Sequence, residues 1–152
     1  MRILFVASML ISAAAFAKDS CHIDAGPDDV VQKKGDIVIE AGKTVHDVIA
    51  LRGQVTVKKG AKVHSIISVK GDVVVEAGAE VTDAIIVLKG KTVVDPSATV
   101  GSRVSLDNGL SISNDSGDGF HGDFNVDGES LSKRIVKEAL KKIDGCVVAS
   151  TN

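Results

Sequence analysis

The sequence predicts a mainly β protein: a single-stranded triangular β-helix, a solenoid of 18-residue coils with three six-residue sides, followed by a C-terminal amphipathic α-helix. Three observations predict it. Gly35, Gly53 and Gly71 recur every 18 residues, and Gly42, Gly60, Gly78 and Val45, Val63, Val81 keep the same step. A period of six runs inside the 18, with aliphatic residues at Ile39, Val45, Leu51, Val57, Val63, Val69, Val75, Val81 and Val87. Aromatic side chains, for which a narrow stacked interior has no room, are missing from this stretch; beyond residue 17 only Phe120 and Phe124 occur, both after the repeats.

In chain order, the first element is a leader. Arg2 gives a positive start, residues 3–16 are apolar, and Ala15-Phe16-Ala17 is a small-x-small cleavage site, so residues 1–17 read as a secretory signal peptide and the mature chain is expected to begin at Lys18. The apolar run is too short for a membrane span, which needs roughly 20 apolar residues, and no later stretch approaches that length. Lys18, Asp19 and Ser20 separate Cys21 from the apolar segment, which argues against a lipid anchor. A soluble periplasmic or extracellular product is expected. The full chain has 18 Lys and Arg against 20 Asp and Glu, a formal net charge of −2, and loss of Arg2 with the leader makes it −3, without the basic excess that a broad nucleic-acid footprint requires.

Residues 18–34 form an N-terminal segment or cap. They contain Cys21, whose only counterpart is Cys146 near the other end of the mature chain. An oxidising compartment favours a disulfide between them, the alternatives being two unrelated thiols or a link between chains.

Residues 35–113 form the β-helix. Strand-like pairs two residues apart occur at Ile37/Ile39, Ile49/Leu51, Val55/Val57, Ile67/Val69, Val73/Val75, Val104/Leu106 and Leu110/Ile112. One extra residue between Val81 and Val94 is expected as a bulge near 85–89, after which the series resumes at Val94, Val100, Leu106 and Ile112. About four coils stacked at ~4.8 Å make a rod roughly 20 Å tall. On its outside, Glu40, Lys58 and Glu76 alternate in sign, and Thr44, Lys62 and Glu80 form a second mixed ladder. Lys34, Arg52, Lys70 and Lys89 instead form a basic stripe along one corner. It reads either as an anion-binding surface for an acidic glycan or envelope polymer, or as a solvated corner balanced by Asp36 and Asp72.

The segment Lys70-Gly71-Asp72-Val73-Val74-Val75-Glu76-Ala77-Gly78-Ala79-Glu80-Val81 resembles the core repeats of the bactofilins, polymer-forming bacterial cytoskeletal proteins, and the resemblance covers about 80 residues. It implies a right-handed β-helix, end-to-end assembly of solenoids into filaments, and a scaffold role in cell shape or envelope organisation without nucleotide. The left-handed hexapeptide fold of many acyltransferases, the competing six-residue architecture, commonly places Gly just after the aliphatic residue. Here those sites hold Glu40, His46, Arg52, Lys58, His64, Lys70, Glu76 and Thr82. This chain differs from the bactofilin pattern in its export signal and its flanks at both ends.

Residues 114–129, rich in Asp, Gly, Asn and Ser, read as turns with a short strand around 124–126. Residues 130–144 read as a helix with Ser130 as N-cap, Lys141 and Lys142 at its negative end and Gly145 as the stop. Leu131, Ile135, Val136, Ala139, Leu140 and Ile143 give it an apolar face that needs a partner, such as the solenoid's flank or open end. Residues 145–152 are a tail.

Candidate chemistry is sparse. Asp123, Asn125 and Asp127, with Gly128, match the opening of a calcium loop, but Arg134 stands where the bidentate Glu belongs. His46 and His64 hold the same place in neighbouring coils, so their rings could stack and share a zinc ion, although two ligands are not a site. Thr82 ends that series, and the adjacent Asp47 and Asp83 are expected to point elsewhere, which leaves a solvent-facing polar ladder. His22 and His121 lie outside the repeats. No Ser-His-Asp or Cys-His arrangement has supporting context, so no catalytic residue and no cofactor is expected. The sequence therefore points to an exported, non-catalytic structural solenoid of the bacterial envelope. Expected partners are further copies, through the solenoid ends or edges, and a cell-envelope polymer. The alternative is a small secreted binding module, a capped monomer that takes an acidic envelope glycan or calcium.

Overall fold

The computed structural model describes residues 22–107, 110–114, 119–122, 125–126, 129–130, 135, 137, 141 and 147–150. The first described strand is β1 (His22–Ala25). The coils follow as β2 (Val30–Gln32), β3 (Ile37–Ile39), β4 (Thr44–Ala50), β5 (Val55–Val57), β6 (Lys62–Lys70), β7 (Val73–Val75), β8 (Glu80–Lys89), β9 (Thr92–Val94) and β10 (Thr99–Ser105). Then come β11 (Leu110–Asn114), β12 (Gly119–Gly122), β13 (Asn125–Val126), β14 (Glu129–Ser130) and β15 (Val147–Ser150).

The chain is a β-solenoid of stacked parallel coils. β3, β5, β7 and β9 form a four-stranded sheet, and β2, β4, β6, β8 and β10 lie in order within a seven-stranded sheet completed by β11 and β12. The registers are those of the 18-residue repeat: Ile37 pairs Val55, which pairs Val73, and Val45 pairs Val63. One corner is a column of turns. Lys43, Ala61, Ala79 and Ala98 each donate a backbone N–H back to Glu40, Lys58, Glu76 and Asp95. Gly42, Gly60 and Gly78 take φ near 70°, the left-handed conformation that the third residue of a type II turn demands. The fourth turn, Asp95-Pro96-Ser97-Ala98, has no Gly. Its Asp95 carboxylate accepts the Ser97 hydroxyl and N–H at 2.7 and 2.9 Å, and these bonds lower the Asp95 pKa.

Vertical columns of small aliphatics fill the interior. Val55, Val57, Val63, Ile66, Val73, Val75, Val81, Ile85 and Val87 are at most 1% exposed. Each such burial is worth about 1.5–3 kcal/mol, so the coils are held by burial as much as by their hydrogen bonds. The one buried polar side chain among the described residues, Ser68, turns its hydroxyl to the Gly71 carbonyl at 2.9 Å.

The structure corrects several details of register. The inward pairs on the second large side are Val48/Ala50 and Ile66/Ser68; Ile49 and Ile67 face outward, while Leu51 and Val69 are buried one residue later at the corner. Consecutive inward residues at a corner break the alternation that would pair Ile49 with Leu51. The extra residue also sits earlier than 85–89. Val63 pairs Val81 but Ile66 pairs Ile85, so the bulge lies within 82–84. Parallel coiling ends at Ser105, because β11 runs antiparallel to β10 and pairs Val104 with Ile112. Leu106 and Ile112 therefore do not continue the interior series as a further parallel coil. The reason is visible in the fourth coil, where Thr92, Arg103 and Ser105 take the places that Val73, Ile85 and Val87 fill one rung below. A polar rung cannot support another apolar one.

Of the flanks, β13 matches the expected short strand and pairs with β14. Ser130, expected as a helix N-cap, pairs with Asn125, and 131–134, where the first helical turn is expected, lie outside the described residues. Ile135, Lys137 and Lys141 have helical backbone, and Ile135 is 45% exposed; the rest of 131–144 lies outside the described residues. β15 returns to pair in parallel with β1, His22 with Val147. No helix among the described residues is long and apolar enough to cross a membrane.

Candidate functional site

The coils turn functional side chains outward at two corners. The first interrupts β4, β6 and β8. Val63 and Ile66 both point inward, so the two residues between them, His64 and Ser65, must both face out; His46 and Asp47 do the same one coil earlier. This overturns the expectation that Asp47 points away from the histidines. The two imidazoles stack with ring centroids 4.7 Å apart and planes 27° from parallel. His46 Nδ1 lies 3.4 Å from Asp29 Oδ1 and 3.3 Å from Asp47 Oδ2. His64 Nδ1 lies 3.1 Å from the Thr82 hydroxyl, and Ser65 donates its hydroxyl to Asp47.

Asp29 anchors this corner from below. Its carboxylate accepts the Gly26 N–H at 2.7 Å and the Asp47 N–H at 3.1 Å, and these two bonds, with the His46 ring beside it, hold its pKa below the ordinary carboxylate value. Asp28, Thr44, Val45, His46, Lys62 and His64 line a shallow groove over the corner. The sequence carried a signal for this cluster. Asp28 and Asp29 stand one 18-residue step before His46 and Asp47, outside the segment in which the repeat was first counted.

The second corner carries the basic stripe. Gly35, Gly53 and Gly71 donate their N–H groups to the carbonyls of Arg52, Lys70 and Lys89, so Lys34, Arg52, Lys70 and Lys89 lie one above another on successive rungs, all exposed. The acids expected to balance them also bind the backbone. Asp36 accepts the Gln54 N–H and Asp72 the Lys91 N–H, each at 2.8 Å, so each ties its coil to the next.

The mixed ladders form the expected ion pairs, Lys58 with Glu40 at 3.5 Å and Lys62 with Glu80 at 3.0 Å. Exposed pairs of this kind contribute at most about 1 kcal/mol each. Of the calcium-loop residues, Asn125 lies in β13, while Asp123 and Asp127 fall outside the described residues. Cys21 and Cys146 also fall outside them.

Fold and surface together define a class, a short β-solenoid whose outer corners are ordered polar columns. Comparison with known proteins gives no match to a family model, to a curated protein or to a solved structure.

Proposed function

We propose that this is an exported, non-catalytic structural scaffold of the bacterial envelope, similar in kind to the bactofilins, in which the solenoid is a stiff rod and its outer columns are the working surface. The observation that carries this reading is the regular stack itself. The first three coils share the 18-residue register, their interior is aliphatic, and the basic side chains of one corner line up at rung spacing. Such a body presents repeated contacts to a polymer or to another copy.

Self-association would use the small sheet, since β3 and β9 end it, whereas β11 and β12 continue the large sheet beyond β10. Export is supported by the leader-like residues 1–17 and by the pairing of His22 with Val147. Cys21 and Cys146 immediately precede those two residues. An oxidising compartment would favour a bridge between these two cysteines.

A second reading, a monomeric module that binds an anionic envelope polymer, is favoured by the basic column, in which Lys34, Arg52, Lys70 and Lys89 stand exposed on successive rungs. Light scattering coupled to size exclusion separates the two readings. Concentration-dependent assemblies of the oxidised chain support the scaffold. A discrete monomer, both oxidised and reduced, with saturable binding of an acidic glycan that is lost in a Lys70→Glu/Lys89→Glu variant, overturns it in favour of the module.

A further inference from the structure

We propose that the corner built by His46, His64 and Asp47 is a binding site for a late first-row divalent transition metal, Zn²⁺ or Cu²⁺, set into the side of the rod. One ligand atom from each of these three residues can be chosen so that all lie within 4.8 Å of one another. Two imidazoles and a carboxylate are the ligand set that borderline divalent metals favour over Mg²⁺ or Ca²⁺. Tetrahedral Zn–N bonds of about 2.0–2.1 Å place ligand atoms ~3.3 Å apart, so the three groups must close by roughly 1.5 Å. The imidazoles are free to make that movement: the His46 side chain is 60% exposed, and His64 is exposed beside it.

The surroundings already select the donor atoms. Asp29 can only accept, so its approach to His46 Nδ1 keeps the proton on that nitrogen and leaves the Nε2 lone pair for a metal. The Thr82 hydroxyl, which can donate or accept, occupies Nδ1 of His64 at 3.1 Å, so Nε2 is the ring nitrogen left for a metal there too. Asp29 is itself held by the Gly26 and Asp47 N–H groups, which makes it the fixed outer carboxylate of a carboxylate–histidine–metal relay. Asp47 is then free to exchange its contact with His46 for the ion while Ser65 keeps its other oxygen oriented. The nearest cation on the groove, Lys62, is paired with Glu80 at 3.0 Å and does not compete for the carboxylates. Water completes the coordination, which leaves a position for a donor group from a partner.

The test is calorimetric titration of the untagged full chain with ZnCl₂, together with electron paramagnetic resonance of the Cu²⁺-loaded protein. One ion per chain, saturating at micromolar metal, with two nitrogen couplings in the Cu²⁺ spectrum, is the expected result. His64→Ala and His46→Ala should each weaken binding at least tenfold and remove one nitrogen coupling, while His22→Ala and His121→Ala leave both readouts unchanged. Circular dichroism of the variants should match the parent, since both rings sit outside the core. Absence of saturable binding, or binding that survives the His46→Ala/His64→Ala double substitution, overturns the proposal. Neither result touches the scaffold reading, which rests on assembly.

Discussion

Replacing Gly71 by Ala tests the stacking of the coils most directly. A Cβ at that position would sit 1.9 Å from the Gly53 carbonyl oxygen and 2.6 Å from its carbon, backbone atoms of the rung below. Ordinary van der Waals contact begins near 3.4 Å, so the rungs must part by more than 1 Å at a corner where Gly71 donates to Lys89 and Gly53 to Lys70, both at 3.0 Å. Losing one or two such bonds costs about 1 kcal/mol each, and forcing an atom into a packed space adds about 1–3 kcal/mol. The total is about 2–5 kcal/mol, a large share of the stability of a domain this size. Gly78 is the control. Its φ is 69°, and a Cβ there meets nothing within 4 Å, so Gly78→Ala should cost only about 1 kcal/mol of left-handed strain. Urea denaturation followed by circular dichroism measures both. Equal losses, within about 0.5 kcal/mol, would refute close approach as the reason for the first glycine column.

Three further outcomes are expected. Ile66→Ala, in the centre of the interior, should cost about 2–5 kcal/mol by urea denaturation, whereas Val93→Ala, at a site 57% exposed, should stay within about 0.5 kcal/mol. Asp29 has a lowered folded-state pKa, so its contribution is fully present above its ordinary value of 3.8 and fades as pH falls through the lower folded value. Asp29→Asn should therefore be less stable than the parent at neutral pH, and the two denaturation midpoints should converge in acid. If Cys21 and Cys146 form one bridge, reduction should lower stability by up to about 4 kcal/mol at constant chain mass, and Cys146→Ser should reproduce the loss without further effect of reductant.

Most of the architecture was legible because a solenoid writes its geometry into the chain as a period. Gly53 and Gly71 mark the same corner in successive coils, and Val57 and Val75 the same interior column. What failed was counting across corners. Between Val63 and Ile66 two residues face out, so a strict period of two puts Ile67 inside, whereas Ile66 is the buried one. The same effect brings Asp47 beside the two histidines, whereas the sequence predicts that it points elsewhere along the strand. The end of the stack was misplaced because Leu106 and Ile112 keep the six-residue beat. The deciding signal was the polar rung at Arg103 and Ser105, which becomes visible only once the bulge at 82–84 is set in register. Arg103 keeps its Nε buried without a hydrogen-bond partner. Its column therefore ends on a charge that another coil could not cover cheaply.

The pairing of β1 with β15 has a consequence for how such a chain can evolve. Duplicating an 18-residue unit is the natural way for a solenoid to lengthen, because each new coil finds the same neighbours. Here every added coil would carry the last rung ~4.8 Å further from the first. The segment between Ser105 and Val147 would have to span that added distance before Val147 could again meet His22. Joined ends thus tie the number of coils to the reach of one connecting segment. Relatives of this chain should vary in their corner side chains far more readily than in their number of coils.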